Sequence, residues 1–397
     1  MIQSIYPENI INIFEYSVQK KDSSRLKVLL MADDTHHNSN VTDDIKQYKS
    51  YSKHKIDVYN PIHKKLKTIR GKLFPKSSLQ IEKYDAIIIH FSIYILGEYF
   101  LSKDLSERIK KYKGLKIQTI RDEYRNINDM IEKQSYLGIN ILFSVLRVEH
   151  IKKVYEHPSL SKMIKVSCIP GHVSDYLTKL NVPKIKNRKI NISYRSRFLP
   201  AQLGKFAQEK IKLGIEIKKL CQASKLSCDI SVLDKDRVYG SEWIDLHNKS
   251  KVMLAAPGGA SLFDFSGEAL KRVTLLKEES PYLSEEKIID EELSDLDGNI
   301  IHKQTTPRIF EAIALRVPLL MPINDYRGIF KPWDHYIPLE DALTNWNEIV
   351  KLLRDDYYLQ DLADRAFSDI VKSGRWASKL FIEKFDDIIS LQYTRNQ

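Results

Sequence analysis

Residues 305–320 read Thr305-Thr306-Pro307-Arg308-Ile309-Phe310-Glu311-Ala312-Ile313-Ala314-Leu315-Arg316-Val317-Pro318-Leu319-Leu320, the pattern of a helix that runs straight into a buried strand. Thr306 suits an N-cap and Pro307 the first helical position, so Arg308 falls in the first turn. There the helix dipole is positive and free N–H groups point outward. The helix favours an anion at this end, and a phosphate would be held by the N-terminus and Arg308 together. Glu311, one turn on and on the same face, can accept hydrogen bonds from a ribose. Phosphate plus diol points to a nucleotide. The competing reading of the same spacing is a plain i, i+3 surface pair between Arg308 and Glu311.

Outward from this segment, strand-like runs alternate with longer amphipathic stretches, as in parallel sheets covered by helices. Leu26–Met31, Ala86–His90, Lys116–Ile120, Ile139–Phe143 and Met163–Val166 are expected strands of a first sheet. Lys189–Tyr194, Ser227–Val232, Val252–Ala256 and Val317–Met321 are those of a second. The polar, basic and Pro-broken run Asn181–Arg188 reads as the linker between them. Ligands of open parallel sheets bind beyond the carboxyl ends of strands. The residues that follow the first series are Asp33-Asp34-Thr35-His36-His37, His90-Phe91-Ser92, Arg121-Asp122-Glu123-Tyr124 and Pro170-Gly171-His172. Residues 275–303 are acidic and poor in apolar side chains, which reads as an insertion or a mobile loop.

At 397 residues the chain has room for two domains with a core each. A hydrophobic content of 43% argues against wholesale disorder. No run reaches the ~18 apolar residues of a membrane span; Tyr84–Tyr99 is interrupted by His90, Ser92 and Glu98. Met1–Lys20 lacks a basic start followed by an apolar core, so the expected location is the cytoplasm. Cys168, Cys221 and Cys228 have neither framework nor metal-site spacing and read as free thiols. The net charge is +11, and Lys46–Lys76 alone carries ten Lys and Arg against one Asp, or +9.

The run Pro-Arg-Ile-Phe-Glu-Ala-Ile-Ala-Leu-x-Val-Pro-Leu-Leu resembles the donor-site helix of GT-B glycosyltransferases, in particular the CgeB-like and group 1 (GT4-like) bacterial enzymes of surface-polysaccharide synthesis. Tyr326–Pro332, His335–Leu339, Ile192–Arg197 and Pro257–Ser261 extend the resemblance over residues 190 to about 385. It implies an α/β chain of two Rossmann-like domains with parallel sheets facing an interdomain cleft. Residues 1–182 would form the acceptor-side domain, 189–375 the nucleotide-sugar domain, and 376–397 a helix crossing back to the first. Two positions depart from the group 1 pattern. Lys303 stands where a second Glu is usual, which leaves retention or inversion open, and Arg316 replaces a small residue.

The activity so implied is metal-independent transfer of a sugar from a nucleotide sugar to a glycan or lipid-linked acceptor, with no cofactor. Arg195 and Arg197, with Lys210 soon after, would neutralise the leaving diphosphate. Thr306, Arg308 and Glu311 would complete the donor site, and the small residues Gly258 and Gly259 would let backbone N–H groups approach the ligand. Glu123, Asp122 and His90 are the candidate catalytic side chains, a carboxylate as general base on the acceptor and the His on the sugar. Helix capping by Asp122 and a satisfied core His90 are their structural alternatives. His36-His37 and the triplets Asp234-Lys235-Asp236 and Asp295-Leu296-Asp297 invite a metal reading, yet adjacent histidines seldom share one ion and both triplets sit in loops. The Lys46–Lys76 run, interleaved with Tyr, Leu, Ile and Phe, reads as a solvated face, as a peripheral contact with anionic membrane or a grip on a phosphate-bearing acceptor, or as a nucleic-acid surface; the membrane contact is the expected partner, and no nucleic acid is expected. A non-catalytic binding protein and a GT-B-fold nucleotide-sugar epimerase are the alternative functions.

Overall fold

The computed structural model describes residues 9–19, 24–36, 39–62 and 79–396, so Lys64–Phe74, the apolar-interleaved part of the basic run, lies outside the described residues. The chain divides into two compact units, one of Met1–Cys168 with Phe381–Gln397 and one of Ile169–Leu380.

The first unit carries the strands β1 (Ile10–Asn12), β2 (Lys27–Met31), β3 (Lys55–Tyr59), β4 (Ala86–Ile89), β5 (Leu115–Ile120), β6 (Ile141–Ser144) and β7 (Ile164–Ser167). They form one parallel sheet in the order β1-β7-β6-β5-β4-β2-β3. Every residue of β4 to β7 is buried, because helices cover both faces of a parallel sheet. The last helix, Ser378–Asn396, adds Ile382, Phe385, Ile388 and Ile389 to this core. Two buried carboxylates fasten it. Asp386 accepts from Ser52 Oγ at 2.9 Å and Lys53 N at 2.7 Å, and Asp387 accepts from Tyr16 OH at 2.6 Å.

In the second unit β8 (Ile190–Arg195), β9 (Cys228–Ser231), β10 (Ser250–Leu254), β13 (Leu319–Pro322) and β14 (Ile337–Leu339) make a parallel sheet in the order β14-β13-β10-β8-β9. The short strands β11 (Gly258–Ala260) and β12 (His302–Gln304) pair antiparallel beside it. The run read as a linker lies inside this unit. Ile185 is part of its core, and the buried Arg188 donates to the carbonyls of Pro183 (2.9 Å), Ser250 (3.1 Å) and Leu315 (3.3 Å), so this basic residue ties loops together. Residues 275–303 are no mobile loop: helices Glu268–Glu279 and Glu285–Glu292 close over Ala269, Val273, Ile288, Ile289 and Leu293. Arg316 takes a left-handed φ of 50°, the conformation in which a helix turns off into the next strand and which favours a small residue.

Candidate functional site

Strand order reverses between β8 and β10: from this pair the chain moves outward through β9 on one side and through β13 and β14 on the other. That is the switch point at which open α/β sheets bind ligands. Helix Pro307–Ala314 begins there, with Thr306 at the N-cap in extended conformation (φ −103°, ψ 150°) and no side-chain cap. The Oγ1 atoms of Thr305 and Thr306 are buried and have no hydrogen-bond partner. An uncapped helix N-terminus flanked by two orphaned hydroxyls is a site with unmet polar demand.

Arg308 Nη1 donates to the carbonyl of Arg195 at 2.5 Å, and its guanidinium lies 5.7 Å from the Trp243 ring centroid. Trp243 Nε1 donates to Glu311 Oε2 at 2.8 Å, so the tryptophan links the two residues that the helical spacing put on one face. Arg195 turns sideways along the sheet, paired with Asp229 Oδ1 at 2.8 Å and bonded to the Asp229 carbonyl at 2.9 Å. Its buried Nε has no partner. Arg197, two residues on, is exposed and has no ion-pair partner among the described residues. Beside this cluster lies a cavity of about 780 Å³ lined by Arg195, Leu233, Arg237 and Glu242 among others. Lys210 faces a separate cavity of about 260 Å³, with Pro257, Lys303 and Asn324, while its carbonyl accepts from Tyr194 OH at 3.0 Å.

Trp243 escaped the sequence reading. It stands early in helix Gly240–Lys249, an aromatic among polar residues directly after the loop beyond β9, and that placement was its only signal. Its support is His247, whose ring packs 4.3 Å away and whose Nδ1 bonds the Trp243 carbonyl at 2.8 Å. Because a carbonyl only accepts, Nδ1 carries the proton, and burial pushes this imidazole down to about 4.

Gly258 and Gly259 lie in strand β11. A Cβ on Gly259 (φ +117°) would meet His302 O at 1.8 Å, and one on Gly258 would meet Thr306 Cγ2 at 3.0 Å. The glycines therefore let β12 and the helix cap close in, a physical reason distinct from approach to a ligand. Gly171, read with the first series, packs on Pro307, where a Cβ would lie 2.5 Å from Pro307 Cα.

The candidates in the first unit are organised differently. Glu123 is 4% exposed. Its carboxylate accepts from Ser144 Oγ (2.8 Å), Val145 N (3.0 Å) and Tyr155 OH (2.6 Å), and burial pushes it up to about 7. His90 is fully buried between Ser92 Oγ (2.9 Å) and Asp44 Oδ2 (3.0 Å), with burial lowering its pKa. Arg121 donates to the other oxygen of Asp44 at 3.2 Å. Asp122 is exposed and accepts from Tyr124 OH at 2.8 Å. Of the acidic triplets, Asp297 accepts from Ser261 Oγ at 2.6 Å and Asp295 pairs with Arg272 at 2.8 Å. Among the described residues no group of three or more His, Cys, Asp or Glu is arranged to hold a metal ion, and no helix is long and apolar enough to cross a membrane.

No family model matches the sequence, and a search of curated proteins gives no match. Solved structures do match. One is an alpha-glucosyltransferase in complex with UDP-glucose and DNA containing an abasic site, at TM-score 0.56 and 12% identity over 92% of this chain and 100% of that one. The chain has the GT-B fold. A second alpha-glucosyltransferase structure, with UDP and a 13-mer DNA containing an HMU base, matches at TM-score 0.53 and 11% identity over 92% and 100%. A DNA-modifying beta-glucosyltransferase, described with uridine diphosphoglucose, matches at 0.51 and 12% over 92% and 99%. These similarities reach the GT-B architecture and not the CgeB-like or group 1 subdivision. They also overturn the expectation that nucleic acid plays no part, since two of the GT-B structures similar to this chain hold DNA.

Proposed function

We propose that this chain is a glycosyltransferase that draws a sugar from a nucleotide-diphosphate donor bound in its second unit. The observation that carries this reading is the Arg308–Trp243–Glu311 cluster at the uncapped helix start. The helix N-terminus, the Thr305 and Thr306 hydroxyls and the Arg308 and Arg197 guanidiniums meet the diphosphate, and Glu311, steadied by Trp243, takes the ribose. The 780 Å³ cavity alongside is large enough for a nucleobase. As the glycosidic bond breaks, charge builds on the leaving diphosphate, and cations fixed in place stabilise it most at that moment. Uridine diphosphate sugars are the first donors to try, since the similar structures are described with UDP or UDP-glucose.

Two acceptor classes follow. A glycan or lipid-linked acceptor of surface-polysaccharide synthesis is the one implied by the sequence resemblance; hydroxymethylated DNA is favoured by the DNA held in the similar structures. Asp122, exposed at the carboxyl end of β5, is the accessible carboxylate for the general-base role. The test is calorimetric titration of UDP, GDP and CMP and their sugars into the intact chain and the Arg308→Ala variant, followed by transfer of labelled sugar to both acceptor classes. Selective binding lost in the variant supports the donor site. Equal indifference to every nucleotide sinks it.

A further inference from the structure

The amino edge of the first unit's sheet carries a feature that the donor site does not use. Parallel pairing sets Lys27 level with Lys55, and Ala86 level with Val28 and Leu115, so β5, β4, β2 and β3 all begin on one rim. Arg25, Lys55, Lys83, Lys111 and Lys113 are exposed along it, with no carboxylate partner among the described residues. Beside Lys111 and Lys113 opens a cavity of about 460 Å³, lined also by Glu82, Tyr84, Arg108 and Tyr112. Its walls are built. Tyr112 OH donates to the Tyr84 carbonyl at 2.7 Å, Tyr84 OH donates to Asp57 at 3.2 Å, and Gly114 leaves room that a Cβ, 2.1 Å from Tyr112 Oη, would close.

Cations at this edge have an ordinary explanation, since helix carboxyl ends lie beside strand starts and attract positive charge. Here that demand is already met from inside. Lys116 is buried and donates through Nζ to the carbonyls of Ile109 (3.2 Å), Lys110 (3.3 Å) and Leu137 (2.9 Å), the last turns of helices Lys103–Lys111 and Ile127–Leu137. Arg25, Lys55 and Lys83 lie outside any α-helix. The nearby Asp85 is committed to Lys27 N (2.7 Å) and Tyr393 OH (3.1 Å). The rim therefore keeps a surplus of unpaired positive charge, strung across four adjacent strands about 4.8 Å apart.

We infer that this rim is a binding site for the phosphate backbone of a nucleic acid, separate from the donor site and from the carboxyl ends of the sheet. Phosphates repeat along a strand, as the rim cations do, and lysine and arginine contacts to them need no base recognition. A membrane surface is disfavoured because the exposed large apolar side chains of this unit, among the described residues, are Val18, Tyr94, Tyr99 and Tyr136, with no Leu, Ile, Phe or Trp to enter lipid. Tyr136 itself is no bare apolar surface, since Lys110 (4.2 Å) and Lys133 (5.2 Å) lie over its ring.

The experiment measures anisotropy of a short labelled DNA duplex of mixed sequence, titrated with the full chain at several salt concentrations. Against the parent stand K83E/K111E/K113E, its milder form K83Q/K111Q/K113Q, and K103E/K153E/K162E, which reverses as many charges elsewhere on the unit. Melting temperatures check that each variant is folded. The rim reversals should weaken binding about tenfold or more and reduce the slope of log K on log salt by about 0.9 for each phosphate no longer neutralised. The milder set should do so in part, and the control reversals should leave the slope unchanged. Equal weakening in rim and control variants would mean undirected attraction to a basic protein and overturn the proposal. So would weakening in the control variant alone, no duplex binding by the parent, or, in a parallel titration of anionic vesicles, binding to the vesicles and not to the duplex.

Discussion

The carboxyl ends of the two sheets hold buried polar groups in opposite states. In the first unit Glu123 and His90 are buried with their polar atoms met by neighbours: Ser144, Val145 and Tyr155 for the one, Ser92 and Asp44 for the other. In the second, the Thr305 and Thr306 hydroxyls and Arg195 Nε are buried with no partner, and the helix that starts there has no side-chain cap. Buried polar groups are costly unless paired. A closed network of this kind stabilises the fold by itself, whereas an open one at a switch point leaves polar groups that a ligand can meet. The polar groups of the first set are thus better placed to govern stability, and those of the second to govern binding.

The largest expected effect tests the second half of that contrast. Arg308→Ala removes the cation nearest the helix N-terminus and should lower transfer by about 10²–10³-fold, the size found when one fixed donor to developing charge is lost. Its melting temperature should change little, since the Arg308 side chain donates to a single carbonyl. Loss of stability in step with activity would show that Arg308 holds the fold and would erase the distinction.

Next comes the pH profile of Glu123. Its native carboxyl keeps a proton up to about 7, against 4.5 for the unperturbed group. The folded state therefore binds the extra proton between those values. The contribution to stability is whole below about pH 4.5 and is lost as pH rises through 7, a decline of about 3 kcal/mol. Glu123→Gln should flatten that part of the profile in urea unfolding measured at a series of pH values. An unchanged slope would mean that other groups set it.

Most of the architecture was legible because it rests on apolar runs. Ala86–Ile89 and Leu319–Leu320 read as strands on hydrophobicity alone, and both are buried throughout. What escaped was held by other means. Strand β3, Lys55–Tyr59, sits at a sheet edge with no fully buried residue, so its alternation drowned in the surrounding lysines. The Gly258-Gly259 strand looks like a turn to any reading that associates glycine with flexibility, because its reason is the backbone of His302, a contact 43 residues away. In the site, Arg308 and Glu311 were visible as a spacing on one helix. Trp243 belongs to a different helix, and nothing local reveals that its indole N–H reaches Glu311.

Gly259→Ala probes that long-range reason. The added methyl collides with the His302 carbonyl, and the φ of +117° is itself strained for alanine. Destabilisation of about 1–3 kcal/mol is expected. Because the β11–β12 pair leads into Thr305 and Thr306, the nucleotide should also bind more weakly. Weaker binding at full stability would instead assign Gly259 to contact with the ligand.

The smallest effect separates support from contact. Trp243→Phe keeps a ring near Arg308 and against His247 but deletes the N–H that holds Glu311 Oε2. A hydrogen bond to a charged group contributes about 1.5–3 kcal/mol at most, and a carboxylate with solvent nearby recovers part of it. Donor affinity should therefore fall by about tenfold or less, with little change in the transfer step at saturating donor, because in the proposed donor site Trp243 acts through Glu311 and not on the diphosphate. Glu311→Gln supplies the control: it keeps an oxygen to accept from Trp243 and removes the charge. If the two variants weaken donor binding alike and their double mutant is no worse than either, the indole serves only to orient Glu311. If their effects add, Trp243 meets the nucleotide directly, and the open network at the second sheet is larger by one residue.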